Sequence, residues 1–247
     1  MIQKLSEIIQ NSENIVFFGG AGVSTESGIP DFRSAAGIYS NKTYPYPAEH
    51  MISSDFFFTH PDQFYNFYFH EMVYPDAKPN DAHIALAELE KMGKCKAVIT
   101  QNIDGLHQAA QSRNVFELHG SIHHNRCLGC HEHYDLKAML QQKDGVPKCP
   151  KCSHMIKPEV VLYQEALDQK VVQGAIAHIQ AADVLIVGGT SLQVYPAAGL
   201  IQYFHGSKLV LINRSSTNMD SMADLVIHDS IGKVMKVVME QIAMKGK

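Results

Sequence analysis

Residues 15–28, IVFFGGAGVSTESG, decide the fold of this chain. Residues 15–18 form a compact apolar run that stops at Gly19-Gly20, as a buried strand does. Runs at 97–100, 184–187 and 209–212 read the same way: short, rich in Val and Ile, and ended by Gly or polar residues. Apolar character that is continuous, not alternating, predicts strands covered on both faces, the habit of a parallel sheet. Helical patterns lie between them at 3–12, 81–92, 169–181 and 232–243, with Asp81 the expected N-cap of the second. The expected class is therefore α/β, with a Rossmann-like parallel sheet. Two stretches break the rhythm, the aromatic, Pro-punctuated 44–80 and the cysteine-bearing 123–158.

Composition narrows the function. A chain of 247 residues, 45% hydrophobic, can bury a large core plus a small accessory module. A net charge of −4 without a basic stripe argues against a nucleic-acid or anionic-membrane binder. The amino terminus lacks the basic and apolar regions of a signal peptide, and no apolar run approaches the ~20 residues of a membrane span. A cytoplasmic setting is expected, so five cysteines suggest metal or free thiols. Cys127-x-x-Cys130 and Cys149-x-x-Cys152 are each able to chelate from one turn, and together close a tetrahedral thiolate site suited to zinc. Two disulfides are the alternative. With four thiolates no coordination position stays open, so the zinc is expected to be structural; Cys95 reads as a core residue. The expected organisation is a discontinuous Rossmann-like domain of 1–34, 94–121 and 159–247. A helical insertion, 35–93, and a zinc-binding module, 122–158, form the smaller domain.

The remaining motifs sit at strand ends, where open α/β sheets bind ligands. Gly20-x-Gly22 allows a tight turn and close approach of backbone N–H groups to a pyrophosphate, with a helix N-terminus adding positive potential. A purely structural Gly turn is the other reading. The fingerprint of hydride-transfer enzymes is not met, since its third glycine is Thr25 and AGIYSNKTY (36–44) offers no ribose-binding acid. GIPDFR (28–33) combines a stiff Pro with Asp31, Phe32 and Arg33, suited to covering a ribose; a surface loop with a chance ion pair is the bland alternative. TQNIDGLH (100–107) places Gln101, Asn102 and Asp104 after a strand, although Asp104 alone could simply cap a helix. His119 ends a further short strand beside Gly120; a lone histidine is usually structural, but imidazole suits a general base near neutral pH.

With those residues in view, the chain resembles the sirtuins, NAD-dependent protein deacylases, over nearly its whole length. The resemblance runs through GAGVS (20–24), GIPDFR, TQNID (100–104), HG (119–120), the four cysteines, PEVVLYQE (158–165), GTSLQVYPA (189–197) and IN (212–213). It implies that NAD lies between the two domains. Gly20, Ala21, Gly22, Thr25, Asp31, Phe32 and Arg33 would line the loop over its nicotinamide half. Gln101 would hold the ribose, and Asn102, Ile103 and Asp104 the carboxamide. Gly189, Thr190, Ser191 and Asn213 would meet the adenosine half, with Asp229 near the adenine. His119 and Asn102 would be the catalytic residues, and Cys127, Cys130, Cys149 and Cys152 the zinc ligands. An acyl-lysine protein or peptide would pair as an added strand beside Val160 and Val161. The resemblance implies that the amide oxygen of acyl-lysine displaces nicotinamide, and that His119 then deprotonates a ribose hydroxyl. Two departures stand out. The family often has Gly-Glu after its VV-F-F strand, whereas Gln164 precedes Glu165 here. Members preferring succinyl groups carry Tyr and, three residues later, Arg; here Tyr65 is followed by Tyr68, so uncharged acyl groups are expected. Rival readings are a mono-ADP-ribosyltransferase and a non-enzymatic zinc-ribbon protein.

Overall fold

The computed structural model describes residues 1–34, 37–40 and 44–245. Part of the start of the expected 35–93 insertion, and of the AGIYSNKTY segment, lies outside the described residues. Nine strands occur among those described: β1 Ile15–Gly19, β2 Cys95–Thr100, β3 Val115–Glu117, β4 Gly120–Cys127, β5 His133–Tyr134, β6 Ile156–Val160, β7 Val184–Gly188, β8 Lys208–Ile212 and β9 Leu225–Ile227. Six of them form one sheet in the order β3-β2-β1-β7-β8-β9, every neighbouring pair parallel. The order reverses at β1, where the chain leaves toward β2 on one side and β7 on the other. A crevice at such a switch point is the usual ligand site of open α/β sheets.

Burial explains why these runs are continuously apolar. Ile15 and Phe17 pack on one face, with Leu5, Leu86, Val98, Ile186, Val234 and Val238. Val16 and Phe18 pack on the other, with Ile99, Ala175, Ile179, Leu185 and Leu211. Helices Ile2–Asn11, Asp81–Lys91 and Ile231–Lys245 cover the first face and Gln169–Ala181 the second. The expected elements are present, with boundaries moved by one or two residues. The N-cap of the helix Asp81–Lys91 is Asn80, not Asp81: its side chain accepts from Ala82 N at 2.9 Å, and its own N–H donates to His83 Nδ1 at 3.2 Å. Strand β9 was not expected from sequence. Its three residues are too short to show a period and gain their conformation from pairing with β8.

β4 pairs antiparallel with β5 and β6 to make a three-stranded sheet in the order β5-β4-β6. The expected boundaries 121/122 and 158/159 fall inside β4 and β6. One apolar core joins this sheet to the 44–80 stretch: Phe56, Phe57, Phe64 and Phe67 pack with Ile122, Leu136, Met139, Ile156 and Val160. No helix among the described residues is long and apolar enough to cross a membrane.

Candidate active site

Register brings the site together. Gly19 lies level with Thr100 on β2 and Gly188 on β7, and Gly188 with Ile212 on β8. The residues just beyond these ends, Gly20, Gln101, Gly189 and Asn213, therefore meet at one rim. They border a crevice of about 820 Å³ at the switch point, walled on its far side by Val160–Glu165 of the small sheet and its continuation. Two glycines allow the rim to close. A Cβ on Gly22 would sit 2.8 Å from the Gly189 Cα, and Gly189 has a φ of 61°, in the left-handed region. The fingerprint reading foresaw a helix N-terminus here. The structure instead has two short 3₁₀ turns, Ala21–Val23 and Thr25–Ser27, ended by Gly28 at φ 85° ahead of Pro30.

A hydrogen-bonded network fixes the polar wall. Ser24 Oγ donates to Asp104 Oδ2 at 2.6 Å and accepts from Asn102 Nδ2 at 3.1 Å. The other Asp104 oxygen accepts from Leu106 N at 2.9 Å, but the N-cap of the helix Leu106–Ala109 is Gly105, so Asp104 braces the turn ahead of that helix and faces the site without being its cap. Gln101 Nε2 donates to Thr190 Oγ1 at 3.1 Å, and Thr190 N donates to Asn213 Oδ1 at 2.9 Å. Asn213 Nδ2 is buried without a partner among the described residues, a donor suited to an acceptor on a ligand. His119 lies 3.0 Å by Nδ1 from the Gln101 carbonyl. A carbonyl only accepts, so Nδ1 carries the proton and the neutral ring keeps its lone pair on Nε2. Burial holds the His119 pKa below the ordinary 6.5, against the Gln101 carbonyl, which raises it.

The covering loop folds on itself. Asp31 Oδ1 accepts from Arg33 N and Ser34 N at 3.0 and 2.7 Å, so this carboxylate braces the loop. Phe32 meets Tyr39 edge-on, with ring centroids 5.4 Å apart, and the Arg33 guanidinium lies 5.3 Å from the Tyr39 ring centre. Gly20, Ala21, Gly22, Thr25, Asp31, Phe32, Arg33, Gln101, Asn102, Ile103, Asp104, His119, Val160, Val161, Gly189, Thr190, Ser191, Asn213 and Asp229 all border the crevice. Ser24, Tyr39, Met72 and the segment 214–217 border it too, without having been singled out from sequence. For Ser24 the signal was present in GAGVS, but its partners lie about 80 residues away.

A model described as the Sir2 family matches residues 20–196. The chain belongs to that family, the sirtuins. A protein of Clostridium perfringens (strain 13 / Type A), named NAD-dependent protein deacetylase, is 63% identical over 97% of this chain and 98% of its own length. A solved Sir2 structure with a deacetylated p53 peptide and 3′-O-acetyl ADP ribose superposes with a TM-score of 0.90. Its identity is 38%, over 97% of this chain and 98% of that one. Another, of Sir2 with a p53 peptide and NAD+, gives 0.87 at 38% identity over 99% of both chains.

In this Sir2-family chain the four cysteine sulfurs, from Cys127, Cys130, Cys149 and Cys152, lie within 4.8 Å of one another. Two of the separations are 3.3 and 3.5 Å. A tetrahedron with Zn–S bonds of about 2.3 Å has edges of about 3.8 Å, so the set fits zinc and does not fit two disulfides. Gly129 N donates to Cys127 Sγ at 3.3 Å, which suits a thiolate. Two expected substrate residues need correction. Tyr65 and Tyr68 are 1% and 0% exposed and pack inside the small-domain core, where the Tyr65 hydroxyl donates to the Ile156 carbonyl. Every face of their segment carries aromatic residues, so spacing alone did not reveal which side meets the crevice; Glu71 and Met72 do so instead.

Proposed function

We infer that this sirtuin is an NAD-dependent protein deacetylase, which passes the acyl group of an acyl-lysine to ADP-ribose with release of nicotinamide. The observation carrying this reading is the meeting of His119, Gln101, Asn102 and Asp104 on one wall of a switch-point crevice, in a chain of this family. The name of the Clostridium perfringens relative and the ligands of the solved Sir2 structures support it. So does the orphaned Asn213 amide, which fits a ligand rich in acceptors, as a dinucleotide is.

NAD supplies a sugar carbon whose nicotinamide can be displaced by the amide oxygen of acyl-lysine. The protein's residues do the rest. Gly189, Thr190, Ser191 and Asn213 hold the adenosine half, with Asp229 beside the adenine. Asp229 is itself paired with Lys233 at 2.7 Å, which holds its carboxyl below the usual range. Gln101 takes the nicotinamide ribose, while Asn102, Ile103 and Asp104 take the carboxamide. Phe32 and its loop keep water from a sugar carbon that becomes cation-like as nicotinamide leaves. His119 Nε2, unprotonated at neutral pH, removes the proton of a ribose hydroxyl so that this oxygen can attack the acyl carbon. Among the described residues β6 is an edge strand of its sheet, so an acyl-lysine peptide adds as a further strand beside Val160 and Val161. The thiolates of Cys127, Cys130, Cys149 and Cys152 would hold zinc, which would tie the turns at 127–130 and 149–152 together and, with four protein ligands, would serve the fold and not the chemistry.

The test is mass analysis of products after incubation with NAD and a panel of acyl-lysine peptides. O-acyl-ADP-ribose should form, and only with acyl-lysine present. NAD turnover that ignores acyl-lysine and leaves ADP-ribose on protein would establish the transferase instead.

A further inference from the structure

We propose that the hydroxyls of Tyr39 and Tyr163 form a positioning pair that couples occupancy of the peptide subsite to closure of the loop over the nicotinamide ribose. The proposal rests on the reading of the crevice given above. The two oxygens lie 2.8 Å apart across the mouth of the crevice and are 124 residues apart in sequence. Each belongs to a different wall. Tyr39 closes the covering loop: its N–H donates to the Phe32 carbonyl at 2.9 Å, Ile38 N donates to the Asp31 carbonyl at 2.9 Å, and its ring carries Phe32 and Arg33. Tyr163 belongs to the segment that follows β6. Its N–H donates to the Ile52 carbonyl and its carbonyl accepts from Ser54 N, both at 3.0 Å. A peptide strand laid beside 160–163 therefore bears directly on the anchored residue that holds Tyr39, and through it on the loop bearing Phe32.

The bond is neutral at working pH. Burial, and then the bond itself, push the Tyr39 phenol well above its ordinary value, so its hydroxyl stays protonated. A neutral bond of this kind has a modest net worth, which suits coupling between two ligands and not the holding of a fold. Its functional consequence is kinetic discrimination. With the loop untied, water can reach the sugar carbon: the carbon–nitrogen bond to nicotinamide breaks, a carbon–oxygen bond to water forms, and the water's proton goes to solvent. ADP-ribose and nicotinamide are then made without acyl transfer.

Tyr39→Phe, Tyr163→Phe and the double variant remove only the hydroxyls and keep the ring packing. The probe is ADP-ribose, which cannot react, titrated with and without saturating acetyl-lysine peptide. In the parent the peptide should tighten ADP-ribose binding, and each single variant should lose about two- to tenfold of that factor. The double variant should lose no more than either single one. In turnover, the ratio of nicotinamide to O-acetyl-ADP-ribose should rise above that of the parent in all three. An unchanged coupling factor in Tyr163→Phe, or losses that simply add in the double variant, would overturn the pair. Failure of the parent to bind ADP-ribose or release nicotinamide would instead overturn the proposed function.

Discussion

Acid should unfold this protein by way of two imidazoles that take no part in its chemistry. His83 and His107 are 0% and 1% exposed, with ring centroids 4.6 Å apart and Phe17 packed against the second. His83 Nε2 and both nitrogens of His107 are buried without a partner among the described residues. Burial pushes the His83 pKa from 6.5 down to about 4, and that of His107 well below its usual value. The folded pKa is depressed, so the stability these groups contribute is fully present above about pH 6.5 and is lost as pH falls toward the folded value. At about pH 5 the unfolded chain binds nearly one proton at His83 and the folded chain almost none. One pKa unit is about 1.4 kcal/mol, and about 1.5 units separate pH 5 from the unfolded pKa, so His83 costs about 2 kcal/mol relative to pH 7.5, and His107, lowered by the same burial, adds to the loss in the same direction. The assay is urea unfolding of the zinc-loaded protein at both pH values, for the parent and His107→Phe. The variant should lose the His107 part of the pH dependence, and so unfold less steeply with acid than the parent, even if metal loss adds a common term. Identical pH dependence in the two proteins would refute the reasoning.

Four further outcomes follow from the structure. His119→Ala should lower kcat by ~10²–10⁴-fold with NAD binding largely kept. The acid limb of the parent's kcat/KM profile should fall below pH 6.5, because the base is active only when neutral and burial lowers its pKa. Removal of zinc by a chelator should destabilise the three-stranded sheet and abolish turnover, with metal re-addition restoring both; full activity of metal-free protein would contradict a structural site. Acetyl-lysine peptides should be turned over about tenfold or more faster than succinyl-lysine ones, since Glu49 and Glu71 both border the crevice and disfavour a further carboxylate there. Comparable rates would count against that assignment.

Much of the architecture could be read from the chain because buried parallel strands advertise themselves. Residues 15–18, 97–100, 184–187 and 209–212 are apolar on both faces, and the structure packs both faces. The thiolate set was equally legible, because each Cys-x-x-Cys pair chelates within one local turn. Features that depend on long-range geometry were harder to see. Ser24 acquires its role only when folding brings Asn102 and Asp104 against it. Tyr65 and Tyr68 were misplaced because a segment aromatic on all sides carries no period to say which face is inward. Strand β9 exists through its neighbour, and Asn80 displaces Asp81 as cap because its amide also donates to the Val23 carbonyl and Ser27 Oγ of the glycine loop.

The fate of the acyl oxygen tests the central claim most directly. A peptide whose acetyl-lysine carbonyl bears a heavy-oxygen label should yield O-acetyl-ADP-ribose with that label on the sugar carbon nicotinamide left. Label retained in the acetyl group, with unlabelled oxygen at the sugar carbon, would mean that water and not the amide displaces nicotinamide in this crevice.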